Sequence, residues 1–123
     1  MTTLPKTQHS ILELNDGWLT IWFNRPEKRN ALSSELLNDI KLALKATYNE
    51  RSVRGIIFRG MGGVFCAGAD LERIKKMTSG GDQAYNDSLK MSIEVGEVYK
   101  LISKAPQITV SAIEGAAMAG AFG

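Results

Sequence analysis

Two stretches of this chain combine an apolar strand with a turn rich in glycine and alanine, and each turn leads into residues that suit a helix. The first is IIFRGMGGVFCAGAD at 56–70, and the second is ITVSAIEGAAMAGAFG at 108–123. In open α/β sheets ligands bind at the carboxyl ends of the strands, where glycine lets the backbone approach closely. Two such turns side by side would aim two backbone N–H groups at one point, which is how an oxyanion is stabilised.

The glycine spacing does not fit the common nucleotide sites. Neither turn ends in Gly-Lys-Ser/Thr, as a P-loop requires, and neither has the G-x-G-x-x-G spacing of a dinucleotide fingerprint. A second interpretation is that the glycines only allow a helix to pack closely on the sheet. The residues alone leave both interpretations open.

The elements that must position these turns are predicted from hydrophobic periodicity and turn signals. The pattern predicts a hairpin of two strands at 8–14 and 17–23, followed by an amphipathic helix at 33–51 and a buried strand at 54–60. It then predicts one or two helical turns at 71–77, a long helix at 83–105 and a second buried strand at 107–115. Asn15-Asp16 before Gly17 gives the hairpin turn, and Ser33 or Ser34 gives the helix N-cap. The order favours a mixed sheet with crossover helices.

Composition limits the class of protein. The chain has 123 residues, 44% of them hydrophobic and 23% charged, which is typical of one globular domain. A net charge of +2 gives no reason to expect nucleic acid or a membrane as partner. No segment has the length of a membrane span or the pattern of a secretory signal, and the lone Cys66 fits a reducing compartment. We therefore expect a cytoplasmic protein.

Three motifs resemble the crotonase superfamily, which includes enoyl-CoA hydratases and isomerases. They are NRPEKRNALS at 24–33, RGMGGVFCAGADL at 59–71 and EGAAMAGAFG at 114–123. The resemblance covers nearly the whole chain, whereas subunits of that family are about twice as long. It implies an α/β fold, a crotonase-like spiral of ββα units incomplete at the C-terminus, with 1–123 as the N-terminal part of a single acyl-CoA-binding domain.

The resemblance also implies an oxyanion hole for the thioester carbonyl of an acyl-CoA. Its donors would be the backbone N–H groups of Ala69 and Gly120, the second within the triplet Ala119-Gly120-Ala121. Both positions would lie at or near a helix start, where unpaired N–H groups favour negative charge. By the same resemblance CoA would contact the first turn through Ala67, Gly68, Asp70 and Leu71, and a basic rim formed by Arg25, Lys28 and Arg29.

Several of these residues also have a structural interpretation. Asp70 is suited to cap a helix N-terminus, and the basic rim has the composition of any solvated loop. Asn30 is expected to brace its loop through bonds from its side chain to the backbone. Cys66 is expected to be a small buried hydrophobe, and His9 to be a surface or structural residue.

The catalytic carboxylate is not identified in this chain. Glu114 and Glu72 lie close enough in sequence to approach the site, but neither matches a catalytic carboxylate of the family. Two-glutamate hydratases carry one catalytic Glu three residues after the oxyanion-hole glycine, and Gly123 holds that place here. The second catalytic Glu of the family falls beyond residue 123. We therefore expect that this chain lacks its own catalytic acid or base.

The resemblance implies an enzyme of the enoyl-CoA hydratase/isomerase type in fatty acid metabolism, assembled as a homotrimer or homohexamer. Coenzyme A would enter as part of the substrate, and no metal or resident cofactor is expected. The alternatives are a dehalogenase or thioester hydrolase on the same scaffold, and a non-catalytic CoA-binding or structural member. The acyl group is not specified by the sequence.

Overall fold

The structure is a computed structural model, and it describes residues 3–68, 81–118 and 121. The described strands and helices follow each other as β1 (Ser10–Asn15), β2 (Trp18–Phe23), α1 (Ser34–Thr47), β3 (Gly55–Gly60), α2 (Gly81–Lys104) and β4 (Ile108–Ser111). Two short 3-10 turns, Pro26–Lys28 and Met61–Gly63, follow β2 and β3. The helical turns predicted at 71–77 lie outside the described residues.

The hairpin is confirmed, with a two-residue turn. Asn15 pairs with Trp18, and φ is 51° at Asp16 and 80° at Gly17. Positive φ at both central residues is the mark of a type I′ turn, whose twist matches that of the two strands. The Asn15-Asp16-Gly17 segment therefore sets the register of β1 on β2.

The four strands form one mixed sheet in the order β1-β2-β3-β4. β1 is antiparallel to β2, whereas β2, β3 and β4 run parallel to one another. The parallel arrangement brings the carboxyl ends of β3 and β4 to the same edge. The predicted α/β class is confirmed, and the two glycine turns start from neighbouring strands.

Helix α1 begins where its cap residue predicts. The Ser33 hydroxyl accepts a hydrogen bond from Leu36 N at 3.0 Å, which satisfies one of the free N–H groups of the first turn. The helix ends at Thr47 rather than near 51, because Glu50 N and Val53 N already bond in turns that lead into β3. Its apolar stripe packs on the inner face of the sheet, and the core consists mainly of Leu19, Ile21, Leu36, Leu37, Ile40, Leu44, Ile56 and Phe58.

The second helix, α2, packs against α1. Lys41 Nζ lies 2.6 Å from Glu97 Oε2, and Ser34 Oγ donates to Glu94 Oε2 at 3.1 Å. The hydrogen bond and charge of Lys41 lower the pKa of Glu97. These bonds connect α2 to α1, and α2 ends at Lys104 before Pro106 as predicted.

The prediction of a buried strand at 107–115 was wrong in length and in burial. β4 spans only Ile108–Ser111, and Ile108 and Val110 are 66% and 43% exposed. β4 is an edge strand of the described sheet, and Thr109 and Ser111 face α2. Since side chains alternate along a strand, Ile108 and Val110 lie on the opposite face of the sheet. The apolar residues of this segment therefore predicted a strand, but they did not determine how many strands or helices would cover it.

A buried carboxylate attaches the N-terminal segment to α1. Asp39 is 2% exposed, and its carboxylate accepts bonds from Gln8 N, His9 N and Ser10 Oγ at 2.7–3.1 Å. The ring of His9 bonds to Ser33 Oγ at 2.8 Å through Nδ1. The expected structural role of His9 is confirmed.

We predict that Asp39→Ala lowers the free energy of unfolding by about 2–4 kcal/mol, because it leaves several donors without their acceptor. Urea unfolding followed by tryptophan fluorescence measures this change. The matched control is Asn38→Ala, since Asn38 is the exposed neighbour on the same helix. An Asp39→Ala variant as stable as the Asn38→Ala variant would show that the carboxylate does not anchor the segment.

Candidate functional site

The two glycine turns lie side by side at the carboxyl ends of β3 and β4. Cys66 and Ala117 form a parallel bridge. Phe65 N and Cys66 N both donate to Ala116 O, at 3.0 and 3.2 Å, and Met118 N donates to Cys66 O at 3.0 Å. The pairing of β3 with β4 is therefore resumed beyond the ends of the strands, and it joins the turns into one unit.

One glycine makes this close contact possible. Gly115 has φ of 77°, and a Cβ atom built there would lie 1.9 Å from the carbonyl oxygen of Gly63. No side chain fits in that gap. Gly63 also has φ of 77°, but a Cβ atom at Gly63 would meet nothing within 4 Å. The two residues thus share a backbone conformation, and only Gly115 carries the steric constraint.

The first turn is anchored in the core by the residues that follow its glycines. The ring centroid of Phe65 lies 5.3 Å from that of Phe23, and Phe65 is 4% exposed. Cys66 is 1% exposed, and burial raises the pKa of its thiol. Gly68 N lies 3.4 Å from Cys66 Sγ. The interpretation of Cys66 as a small buried hydrophobe is confirmed.

The basic rim is bonded directly to the first turn. Arg29 O accepts from Ala67 N at 3.0 Å, and Leu32 N donates to Gly68 O at 2.6 Å. Lys28 and Arg29 are exposed, whereas Arg25 is half-buried. The segment that carries the rim therefore lies along the edge of the turn.

Asn30 connects the same two segments through its side chain. Its Oδ1 accepts from Arg25 N at 2.8 Å, and its Nδ2 donates to Met61 O and Val64 O at 2.8 and 2.7 Å. The residue is fully buried. Its predicted bracing role is confirmed, and the brace reaches beyond its own loop to the first turn.

Glu114 is engaged by an arginine on the neighbouring strand. Its carboxylate forms an ion pair with Arg59 Nη2, and the two side chains are 60% and 35% exposed. The guanidinium carbon of Arg59 lies 4.3 Å from the ring centroid of Trp22. Arg59 lies near the end of β3 and Glu114 lies three residues after β4, so the pair joins the two segments a second time, just before the turns. Glu72 lies outside the described residues.

An apolar cavity lies beside the turns, and α2 and β4 form part of its wall. α2 and β4 contribute Val98, Tyr99, Ile102, Thr109 and Ser111 to an apolar cavity of about 140 Å³. Cys66 and Ala121, from the two turns, also line it. The wall thus encloses an apolar volume next to the first turn.

The predicted site residues divide into two groups. The structure describes Arg25, Lys28, Arg29, Ala67 and Gly68 and brings them together at one edge of the sheet. Four predicted site residues lie outside the described residues: Ala69, Asp70, Leu71 and Gly120. Sequence reasoning missed the contact of Gly115 with Gly63 and the pair of Arg59 with Glu114. The available signal was that two residues of opposite charge, Arg59 and Glu114, each come directly before a glycine.

Two other features are absent from the residues that the structure describes. Among these residues no group of three or more His, Cys, Asp or Glu side chains could hold a metal ion. None of the helices in this part is both long and apolar enough to cross a membrane.

Known proteins resemble this chain in sequence and in structure. The model of the enoyl-CoA hydratase/isomerase family matches residues 13–123. A putative enoyl-CoA hydratase of Thermus thermophilus is 35% identical over 115 residues, which are 92% of this chain and 44% of that protein. A 4-chlorobenzoyl coenzyme A dehalogenase of Arthrobacter is also 35% identical over 115 residues, 94% of this chain and 41% of that protein.

Solved structures agree with this result. The structure of Pseudomonas aeruginosa AtuE superposes with a TM-score of 0.84 at 34% sequence identity, covering 94% of this chain and 44% of that one. The chain therefore spans less than half the length of each of these relatives. That share is the one expected for the N-terminal half of a crotonase fold.

We predict that Gly115→Ala lowers the free energy of unfolding by about 2 kcal/mol more than Gly63→Ala. Both changes place alanine at a positive φ, so Gly63→Ala measures the backbone cost, about 1 kcal/mol. Only Gly115→Ala also forces the two turns apart. Urea unfolding of the two variants gives the difference, and equal losses would contradict the close contact.

Proposed function

The chain belongs to the enoyl-CoA hydratase/isomerase family, and we propose that it binds an acyl-CoA and polarises the thioester carbonyl with two backbone N–H groups. The proposed donors are Ala69 and Gly120. The observation that carries the proposal is the parallel bridge between Cys66 and Ala117. Ala69 and Gly120 each follow their bridge residue by three positions. The bridge therefore joins the two turns within three residues of each proposed donor along the chain.

The chemistry served by such a pair is the formation of an enolate. Addition of water to C3 of a 2-enoyl thioester, with loss of a proton from that water, leaves negative charge on the carbonyl oxygen, and in an isomerisation the removal of a proton from C2 does the same. Two fixed N–H donors stabilise that charge more than they stabilise the neutral carbonyl, and loss of one donor typically costs about 2.7–4 kcal/mol. Backbone donors suit this role because they add no side chain that would obstruct the substrate.

The basic rim is proposed to bind the phosphates of coenzyme A. Lys28 and Arg29 are exposed on the loop that bonds to the first turn. Arg25 is half-buried, and its backbone N is bonded to Asn30. Asp70 and Leu71 are proposed to contact CoA through their backbone. Coenzyme A enters as part of the substrate, and we propose no resident cofactor.

The carboxylate that moves the proton is not assigned to this chain. Glu114 is held by Arg59, and Gly123 occupies the place where the resemblance would put a glutamate. We propose the hydratase/isomerase class because the family model carries that name and the Thermus relative is named a putative enoyl-CoA hydratase. Cytoplasmic location, a role in fatty acid metabolism and assembly as a trimer or hexamer belong to the same proposal.

A second candidate is dehalogenation of an aromatic acyl-CoA, favoured by the identity to the Arthrobacter dehalogenase. Both reactions would use the same carbonyl polarisation. They differ in product, since hydration adds water across a 2,3 double bond and dehalogenation releases chloride. Chloride release from 4-chlorobenzoyl-CoA without hydration of crotonyl-CoA would favour the second candidate.

The test of the proposed function is isotope-edited infrared spectroscopy of [1-¹³C]butyryl-CoA bound to the chain. This saturated thioester cannot be hydrated, so the experiment reports binding and polarisation alone. We expect the carbonyl stretching frequency to fall on binding, because hydrogen bonds to the oxygen weaken the C=O bond. Gly120→Val should abolish the shift, whereas Gly96→Ala, in an open position on α2, should retain it. Binding without a frequency change in the unmodified chain would contradict the oxyanion hole.

A separate prediction concerns the rim. Replacing Lys28 and Arg29 together with alanine should weaken butyryl-CoA binding about tenfold, because each exposed ion pair contributes up to about 1 kcal/mol. Binding of butyryl-pantetheine, which lacks the nucleotide phosphates, should not change. Arg51→Ala removes an exposed arginine elsewhere and serves as the control. Calorimetric titration measures the affinity of the double variant for each ligand and the affinity of Arg51→Ala for butyryl-CoA. If the double variant lost the same affinity for both ligands, this would contradict phosphate recognition by the rim.

A further inference from the structure

Asn30 is a buried polar side chain whose donors and acceptor are all used between two segments. It is 0% exposed. Its amide nitrogen donates to Met61 O and Val64 O, which flank the glycines of the first turn, while its oxygen holds Arg25 N. An asparagine amide offers two N–H donors, and both are engaged. The side chain therefore fixes the distance between the basic loop and the first turn.

The backbone at this position limits which residue can make these bonds. φ is 54° at Asn30, in the left-handed region that asparagine, aspartate and glycine tolerate best. The aspartate side chain has no N–H groups to donate to the two carbonyls, and glycine has no side chain. Asparagine alone among these three meets both requirements.

The residues on either side of Asn30 continue the connection toward the proposed oxyanion donor. Arg29 O accepts from Ala67 N at 3.0 Å, and Leu32 N donates to Gly68 O at 2.6 Å. The carbonyl of Gly68 belongs to the peptide group that carries the N–H of Ala69. A peptide group is planar, so a hydrogen bond that fixes its C=O also restrains the direction of its N–H.

We infer that Asn30 is a positioning residue, which holds the first glycine turn on the basic loop and thereby sets the direction of the N–H that polarises the thioester. This inference rests on the proposed function. The Asn30 side chain would then link the basic loop, which is proposed to bind CoA, to the first turn, which is proposed to act on the thioester carbonyl. Besides the bond from Arg25 N to this side chain, the loop has backbone bonds of its own, from Lys28 N, Arg29 N and Asn30 N to Arg25 O and Pro26 O. Removing the link should therefore affect polarisation more than affinity.

The test uses Asn30→Asp and Asn30→Gly in the full chain, with the frequency shift of [1-¹³C]butyryl-CoA and its dissociation constant measured together. Asn30→Asp keeps the shape and the acceptor but loses both N–H donors, and Asn30→Gly keeps the backbone conformation without the side chain. Sucrose is included to keep both variants folded, since excluded osmolytes favour the compact state. Near-ultraviolet circular dichroism of the two tryptophans confirms folding.

Three controls separate positioning from general effects. Asp16→Asn and Asp16→Gly make matching changes at another left-handed position, φ 51°, in the hairpin turn. Asp39→Ala destabilises the fold away from the turns. All three should retain the full frequency shift.

We expect the Asn30 variants to lose about half or more of the frequency shift, because misdirected donors lose oxyanion contact. Their affinity for butyryl-CoA should change by about threefold or less. A full shift in folded Asn30→Asp and Asn30→Gly would overturn the inference and leave the proposed function standing. An unmodified chain that binds butyryl-CoA with no shift would overturn the proposed function and this inference with it.

Discussion

The parallel contact of Cys66 with Ala117 is the constraint on which the arrangement of the candidate site depends. It extends the pairing of β3 and β4 past the ends of the strands, through bonds from Phe65 N, Cys66 N and Met118 N. Parallel strands put their carboxyl ends at one edge, but they do not by themselves hold the following loops together. Here the loops are held by backbone bonds and by a glycine that leaves no room for a side chain. In the part that the structure describes, the site therefore depends on main-chain geometry.

The first turn is restrained from three directions, and each restraint has a different physical origin. Phe65 and Cys66 anchor it in the apolar core, and Ala116 and Met118 bond it to the second turn. The third restraint is polar, because Asn30 bonds it to the basic loop. A backbone N–H can act on an oxyanion without reorganisation only if its peptide group is already fixed. The proposed function thus requires the kind of rigidity that these contacts provide.

Local signals in the sequence were sufficient to predict the elements but not the contacts between them. Asp16 and Gly17 predicted the hairpin and Ser33 predicted the start of α1, since turns and caps depend on residues within a few positions. The burial of β4 was predicted wrongly, because an apolar run does not specify how many neighbours a strand has. The contact of Gly115 with Gly63 joins residues that are far apart in sequence, and periodicity carries no information about it. The motif resemblance predicted that Ala67, Gly68 and the basic loop contact the same CoA, whereas the link through Asn30 required the coordinates.

The most direct measurement of the central claim is the scalar coupling across the hydrogen bond between Met118 N and the carbonyl of Cys66, observed by NMR in a ¹⁵N,¹³C-labelled chain. This bond connects the two glycine turns, and its N to O distance is 3.0 Å. The account predicts a resolved coupling and slow exchange of the Met118 amide proton with solvent. Absence of the coupling, with Met118 exchanging at the rate of an unstructured peptide, would contradict it, because the two turns would then not form one unit.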